Sequence, residues 1–211
     1  KVDTRQVPMS HYLGAVGMPG VTAYYGLTHI MAPKVGDTVT VSAASGAVGS
    51  ALGVLAKARG CKVVGIAGGQ AKCDYVVKEL GFDACVDYKA HADTSSLSLA
   101  LHAACPHGID AHFENVGGKV LDAVMLRTNA FARIAVCGMI AGYDGAPIGM
   151  AYPALILLNR LKVEGFIVSE HMEVWPAALK ELAQLVGSGQ FRPRETVAQG
   201  LDSAPEAFLG L

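Results

Sequence analysis

The sequence is short of the features that mark membrane, secreted or nucleic-acid-binding proteins. Of its 211 residues only 17% are charged, with 17 Lys and Arg against 18 Asp and Glu, for a formal net charge of −1. No basic block or stripe stands out, so nucleic acid and anionic membrane surfaces have no electrostatic footprint to meet. No apolar run approaches the roughly 18 residues of a membrane span, and no secretory signal heads the chain. The five cysteines (Cys61, Cys73, Cys85, Cys105 and Cys137) are scattered, odd in number and never spaced as C-x-x-C. That pattern excludes a disulfide framework and a zinc knuckle, and it leads us to expect buried thiols in a reducing compartment, the cytosol. Aromatic residues amount to 7% with a single Trp, so the core has to be built mainly from aliphatic side chains.

Those are abundant. Hydrophobic residues make up 52% of the chain, and mean hydropathy is +0.36. Such richness suits a parallel sheet covered by helices on both faces, whose strands read as continuous apolar runs, better than a one-sided antiparallel sheet. The length fits one large domain.

The most informative stretch runs from Val39 to Ser50, where an apolar strand enters Ala43-Ala44-Ser45-Gly46-Ala47-Val48-Gly49-Ser50 and then a helix. Gly46 removes the Cβ that would hold the main chain away from a pyrophosphate, and Gly49 lets the helix sit close on the strand. The first helical amides then face the anion. Ala44 stands where a dinucleotide fingerprint has its first glycine, giving A-x-G-x-x-G. The helix, Ala47 to Arg59, carries Val48, Ala51, Leu52, Leu55 and Ala58 at helical spacing, and Gly60 closes it before a second strand, Cys61 to Ala67. This strand–turn–helix–strand order is what a dinucleotide site requires. The alternative is a pair of glycines that only pack a helix on a strand in another doubly wound fold.

Enzymes for NAD place a carboxylate at the end of the second strand to hold the ribose hydroxyls. Here the chain reads Ala67-Gly68-Gly69-Gln70-Ala71-Lys72. Nothing there repels a 2′-phosphate and Lys72 offers it a cation, so NADPH is favoured. The other reading of Lys72 is a solvated first-turn lysine. Asp74 lies within the helix that starts near Gln70 and should point away from the strand end.

The alternation continues. Gln70–Leu80 reads as a helix, Ala84–Tyr88 as a third strand, Ser95–Ala104 as a helix, Ile109–Val116 as a fourth strand and Gly117 to Leu126 as a helix. Ala132–Gly138 reads as a fifth strand, Ala154–Arg160 as a helix, Val163–Val168 as a sixth strand and Trp175–Val186 as an amphipathic helix. Pro193–Ala198 breaks the pattern and is expected to be a strand of another domain. The fold class is therefore α/β, a doubly wound six-stranded parallel sheet of the Rossmann type. Its ligand crevice should be lined by the segments 45–50, 68–72, 87–89, 115–118 and 138–143, and Ser45 and Gly69 are counted among its cofactor contacts.

Beyond the glycine turn, Gly17-Met-Pro-Gly-Val-Thr-Ala-Tyr-Tyr-Gly26, Gly60-Cys-Lys-Val-Val-Gly65, Leu80-Gly-Phe-Asp83, Glu114-Asn-Val-Gly-Gly118, Cys137-Gly138 with Tyr143, and Glu164-Gly-Phe-Ile-Val168 follow one another in order over nearly the whole chain. In these the chain resembles the nucleotide-binding half of a zinc-independent medium-chain dehydrogenase/reductase, and most of all the NADPH-dependent 2-alkenal, prostaglandin and curcumin reductases. The resemblance implies that Ala47, Val48, Gly49 and Ser50 contact the pyrophosphate and that Lys72 with Tyr88 binds the adenosine 2′-phosphate. It implies that Asn115, the loop Cys137, Gly138, Met139, Ile140 to Tyr143, and Phe166, Ile167 and Val168 lie along the ribose and nicotinamide. Tyr88 could also be an ordinary strand-end tyrosine, and Asn115 before two glycines could be a turn residue.

Zinc enzymes of the same superfamily carry a cysteine ligand where this chain has Gly17-Met-Pro-Gly20, and the histidines, such as His11, His29, His102 and His107, are isolated or flank a turn. We expect no metal. The implied reaction is conjugate reduction, with hydride from NADPH passing to the β-carbon of an enone or enal and the enolate charge met by a hydroxyl donor. Tyr143 is the first candidate for that donor, with Tyr24 and Tyr25 behind it; Tyr143 could equally be a cofactor-loop residue without a chemical role. The alternatives are an NADPH quinone reductase of the same superfamily and a non-catalytic NADPH-binding sensor module. Lys1 is not Met, and Phe208–Leu211 stops within a helical pattern, so the chain is expected to belong to a longer polypeptide. In that reading residues 1–18 are a remnant or hinge from an N-terminal catalytic domain, 19–190 are the NADP-binding domain, and 191–211 begin the return. The resemblance also implies a homodimer through the sixth strand, Val163–Val168.

Overall fold

The computed structural model describes residues 2–145 and 147–210. Six strands form one parallel sheet: β1 (Thr38–Ser42), β2 (Lys62–Ala67), β3 (Ala84–Asp87), β4 (Ile109–Glu114), β5 (Thr128–Val136) and β6 (Lys162–Gly165), in the order β3-β2-β1-β4-β5-β6. Register is set by pairs such as Val39 with Val63, Val39 with Ala111, Val64 with Ala84, and Ile134 with His112 and Val163. The longer helices are α1 (Met18–Tyr25), α2 (Ala47–Ala58), α3 (Gln70–Lys78), α4 (Thr94–Ala104), α5 (Gly118–Met125), α6 (Ala154–Leu158), α7 (Trp175–Gly187) and α8 (Ala204–Leu209). The doubly wound sheet expected from the sequence is the fold observed.

Central strands covered on both faces need apolar or internally satisfied side chains throughout, and all five residues of β1 are buried. Alternation along β2 feeds two layers. Val63 belongs to one apolar cluster with Val39, Leu52 and Leu55 of α2, and Leu182 and Leu185 of α7. Val64 and Ile66 point the other way, to Leu97 and Leu101 of α4 and Val120 and Val124 of α5. Leu121, Met125, Ile134 and Leu161 form a third cluster toward the β6 edge. Val7, Ala15, Val16 and Phe191 lie in the first layer, so side chains from both flanking segments enter this domain's core.

Several boundaries differ from the sequence reading. β4 ends at Glu114 rather than Val116, because the Glu114 carboxylate captures the amides of Val116 and Gly117 and turns the chain out of the sheet. β3 ends at Asp87, whose carboxylate accepts from Lys89 N at 2.9 Å and starts a 3-10 turn, Tyr88–Ala90. β5 begins four residues early, at Thr128, with a register irregularity opposite Ile109 and Ala111. β6 ends at Gly165, since Phe166 leaves the sheet edge to pack on Phe113 and Tyr25. α1 starts at Met18 and runs into a π-helical turn, Gly26–Met31, which places Tyr24 and Tyr25 at its C-terminal end. Pro193–Ala198 forms no strand within the described residues. No helix among them is long and apolar enough to cross a membrane.

Candidate functional site

Strand order reverses between β1 and β4, and in a doubly wound sheet the loops leaving those strand ends diverge to opposite faces and open a crevice. After β1 the chain makes a tight turn. Ala43 takes φ 50°, Ala44 N donates to Ile66 O at 3.1 Å, and Gly46 N donates to Ala43 O at 2.9 Å. α2 then begins with Gly46 as its N-cap, with no side-chain cap and no acid in its first turn. Its leading amides therefore point outward without a protein acceptor or a competing carboxylate, an arrangement that attracts an anion. Gly49 is sterically required, because a Cβ there would stand 2.9 Å from Ala44 Cα and closer still to Ala43 O.

A cleft of about 260 Å³ sits at this point, with Ala43, Gly46, Ala47, Val48 and Gly49 on one wall and Asn115, Cys137, Gly138, Ile140 and Tyr143 on the other. The fold thus brings together expected site residues from three separate loops. Ser45 and Ser50, with Gly46 and Ala47, border a second hollow of about 110 Å³ beside Tyr75 and Arg194; Ser50 itself is buried and its hydroxyl donates to Ala47 O at 3.4 Å. Tyr143 is 72% exposed and its hydroxyl reaches over Gly138, 3.3 Å from where a Cβ would be. Cys137 is half-buried, and burial pushes its thiol up to about 11. Larger hollows, including one of about 530 Å³ near Thr196 and Phe208, include none of the strand-end residues.

At the end of β2, Gly69 adopts φ 98° as the N-cap of α3, and its amide donates to Asp87 Oδ1 at 2.8 Å. The amides of Gly69 and Lys89 hold that carboxyl below its usual range and occupy it, so it does not act as a free acid at the strand end. Tyr88 and Lys89 lie across Gly68, where a Cβ would meet Tyr88 Cε1 at 2.9 Å and Lys89 Cε at 3.0 Å. Lys72, in the first turn of α3, is exposed and forms no ion pair among the described residues. Asp74 is tied along its helix to Gln70 Nε2 at 2.6 Å and Lys78 Nζ at 2.8 Å, as its position in α3 suggested. In the sequence Lys89 stands out only as part of the crevice segment 87–89, with no role of its own. Its signal was available only as the residue after a strand-end tyrosine.

Between the two ends runs a buried polar chain that the sequence did not disclose. Thr40 Oγ1 contacts His112 Nδ1 at 2.8 Å, and His112 Nε2 contacts Glu114 Oε2 at 2.9 Å. Ser42 Oγ donates to Glu114 Oε1 at 2.7 Å, and Val116 N and Gly117 N donate to the same oxygen. His112 and Glu114 are both fully buried. Burial is the largest single influence on Glu114 and opposes ionisation, yet the bonds from His112, Val116 and Gly117 together outweigh it and hold the carboxyl below its usual range. His112 thus has a partner on each ring nitrogen, Thr40 Oγ1 on one side and Glu114 Oε2 on the other. Asn115 is locked by the same group, its amide N donating to Ser42 Oγ at 2.7 Å and its Nδ2 to Ser42 O at 2.8 Å. Positive φ in this loop falls on Gly117 (81°) and Gly118 (54°) and not on Asn115.

Phe166, Ile167 and Val168 do not line the cleft. Phe166 packs on Phe113 and Tyr25, Val168 is buried and Ile167 is exposed. Met139 is half-buried against the third apolar cluster, with its sulfur over Gly117. Tyr25 is stacked between His171, at 4.0 Å, and His29, at 4.8 Å, and serves packing. Among the described residues no three His, Cys, Asp or Glu side chains converge as metal ligands.

Residues 47–184 match the family described as zinc-binding dehydrogenase. The chain is 44% identical, over its full length, to 61% of the NADP(+)-dependent 2-alkenal reductase of Nicotiana tabacum. It is 46% identical, over 98% of its length, to 62% of prostaglandin reductase 1 of Mus musculus. Among solved structures it superimposes over its whole length on 63% of CurA from Vibrio vulnificus in complex with NADPH, with a TM-score of 0.90 and 43% identity. The chain spans about three-fifths of the length of these relatives. The family's description mentions zinc; the described residues of this chain offer no ligand set that fits it.

Proposed function

Because the chain belongs to the zinc-binding dehydrogenase family, we propose that it is the cofactor-binding part of an NADPH-dependent reductase of α,β-unsaturated ketones and aldehydes. The observation that carries this reading is the pairing of an uncapped glycine turn at β1 with an acid-free, lysine-edged end of β2. Support comes from the relatives, whose names describe an NADP(+)-dependent 2-alkenal reductase and a prostaglandin reductase, and from the NADPH in complex with CurA.

In this reading the first-turn amides of α2 hold the pyrophosphate, and Lys72, Tyr88 and Lys89 surround the 2′-phosphate. Asn115, fixed by Ser42, and the loop from Cys137 to Tyr143 flank the ribose and nicotinamide. When bound, NADPH supplies the hydride for conjugate reduction. The Tyr143 hydroxyl, exposed at the cleft mouth, donates to the substrate oxygen as negative charge gathers there. Residues 19–190 form the NADP-binding domain, with 1–18 and 191–211 leading from and to a further domain. The unpaired edge of β6 meets a second copy in a cytosolic homodimer, which light scattering would test.

NADPH oxidation by the full-length protein, followed with 2-nonenal, a dienone and a benzoquinone, tests the activity. Turnover of the enal and dienone is expected, with Tyr143→Phe lowering kcat by about 10²-fold and leaving the NADPH Kd unchanged. Turnover of quinone alone would transfer the assignment to a quinone reductase. Bound NADPH with no turnover of any acceptor would leave a sensor module.

A further inference from the structure

We propose that Cys73 and Cys85 are joined as an intramolecular disulfide by hydroperoxides, and that this bond weakens recognition of the 2′-phosphate of NADPH. The second half rests on the cofactor reading above; the first stands on geometry alone. The Cys85 and Cys73 sulfurs lie 3.0 Å apart, and no other pair of cysteine sulfurs makes such a contact among the described residues. A disulfide needs about 2.05 Å, so closure requires a shift of roughly 1 Å. Gly65, the register partner of Cys85 on β2, leaves room for the pair, since a Cβ there would stand 3.3 Å from Cys85 Sγ.

The position gives the bond a consequence. Cys73 follows Lys72 in the first turn of α3, and Cys85 lies on β3 two residues before Asp87, which holds Gly69 N. Drawing the sulfurs together therefore pulls the first turn of α3, which carries Lys72, against β3. With hydrogen peroxide, one thiolate sulfur attacks a peroxide oxygen and the O–O bond breaks, giving a sulfenic acid and hydroxide, which takes up the proton the thiol had shed and leaves as water. The second thiol then displaces that oxygen as another water, so two thiols and one peroxide give one disulfide and two waters. Burial, reinforced for Cys85 by its contact with Cys73 and by the Asp87 charge, holds both thiols above their usual range. Few thiolates are thus present at neutral pH, and the bond forms on sustained exposure and not in a brief pulse.

The test treats the full-length protein with hydrogen peroxide, then reads intact mass, the disulfide-linked peptides, and affinity for NADPH and NADH before and after dithiothreitol. The expected result is a loss of two hydrogens, a Cys73–Cys85 linkage absent from Cys73→Ser and Cys85→Ser, and a rise of about threefold or more in the NADPH Kd that reductant reverses. NADH affinity should stay unchanged. Unaltered mass, oxygen adducts without linkage, a linkage through other cysteines, or a linked protein that binds NADPH as before would each overturn the proposal. A reduced protein that binds no NADPH at all would instead count against the cofactor reading, while mass and linkage still decide the disulfide.

Discussion

Glu114→Ala is expected to lower the free energy of unfolding by about 3–5 kcal/mol, and the melting temperature by roughly 6–20 °C, measured by denaturant titration and calorimetry at pH 7. The carboxylate is fully buried and accepts from four groups, Ser42 Oγ, His112 Nε2, Val116 N and Gly117 N. Its removal strands a hydroxyl, an imidazole and two amides in a fully buried site, and each stranded polar group costs about 1–3 kcal/mol. The loop that holds Asn115 loses its anchor at the same time. Glu114→Gln keeps the shape, and a change of His112 tautomer can satisfy the new amide, so its loss should be clearly smaller. The folded-state carboxyl sits below its ordinary value. Its stabilisation is therefore complete above the unfolded-state pKa, about 4.3, and is lost as pH falls through the lower folded value. The gap between wild type and Glu114→Gln should accordingly narrow on acidification, and a gap that widened instead would reverse the assignment of an ionised Glu114.

Lys72→Ala is expected to weaken NADPH binding by about 1–3 kcal/mol, roughly 5- to 150-fold, and to leave NADH binding unchanged. The reason is local. The end of β2 offers Gly68 and Gly69 where a ribose-binding acid would repel a 2′-phosphate, and the nearby Asp87 carboxylate is already engaged by two amides. Because Lys72 is exposed, the effect should shrink as salt rises. Lys89 lies over Gly68, and in the proposed reading it contributes to the same anion. The double variant should lose less than the sum of the single losses if both lysines meet one phosphate, and isothermal titration of the four proteins measures that coupling.

The sequence disclosed the sheet because its strands are buried on both faces and its helices carry regular apolar spacing. Gly49 announced the glycine turn, since a Cβ would strike the Ala43–Ala44 backbone. The buried acid was illegible for a physical reason. Ile109-Asp-Ala-His-Phe-Glu114 alternates apolar and polar residues and reads as a half-exposed strand, whereas β4 is central and its polar side chains are satisfied by partners far away in the chain, Thr40 and Ser42. The β4 and β3 ends were misjudged by the same cause, side-chain carboxylates that capture amides downstream and turn the chain. The early start of β5 escaped because Thr128 and Asn129 look like turn residues, yet Asn129 is held by Asp110 Oδ1 at 2.7 Å and Asn159 reaches back to Thr128. Phe166 read as part of a strand, but contact with Phe113 and Tyr25 draws it into the core.

A crystal structure of the protein grown with NADPH tests the central claim most directly. The prediction is a pyrophosphate on the amides of Ala47 to Gly49, with the 2′-phosphate between Lys72, Tyr88 and Lys89. A cofactor bound elsewhere, or a crevice left empty at saturating NADPH, would contradict it.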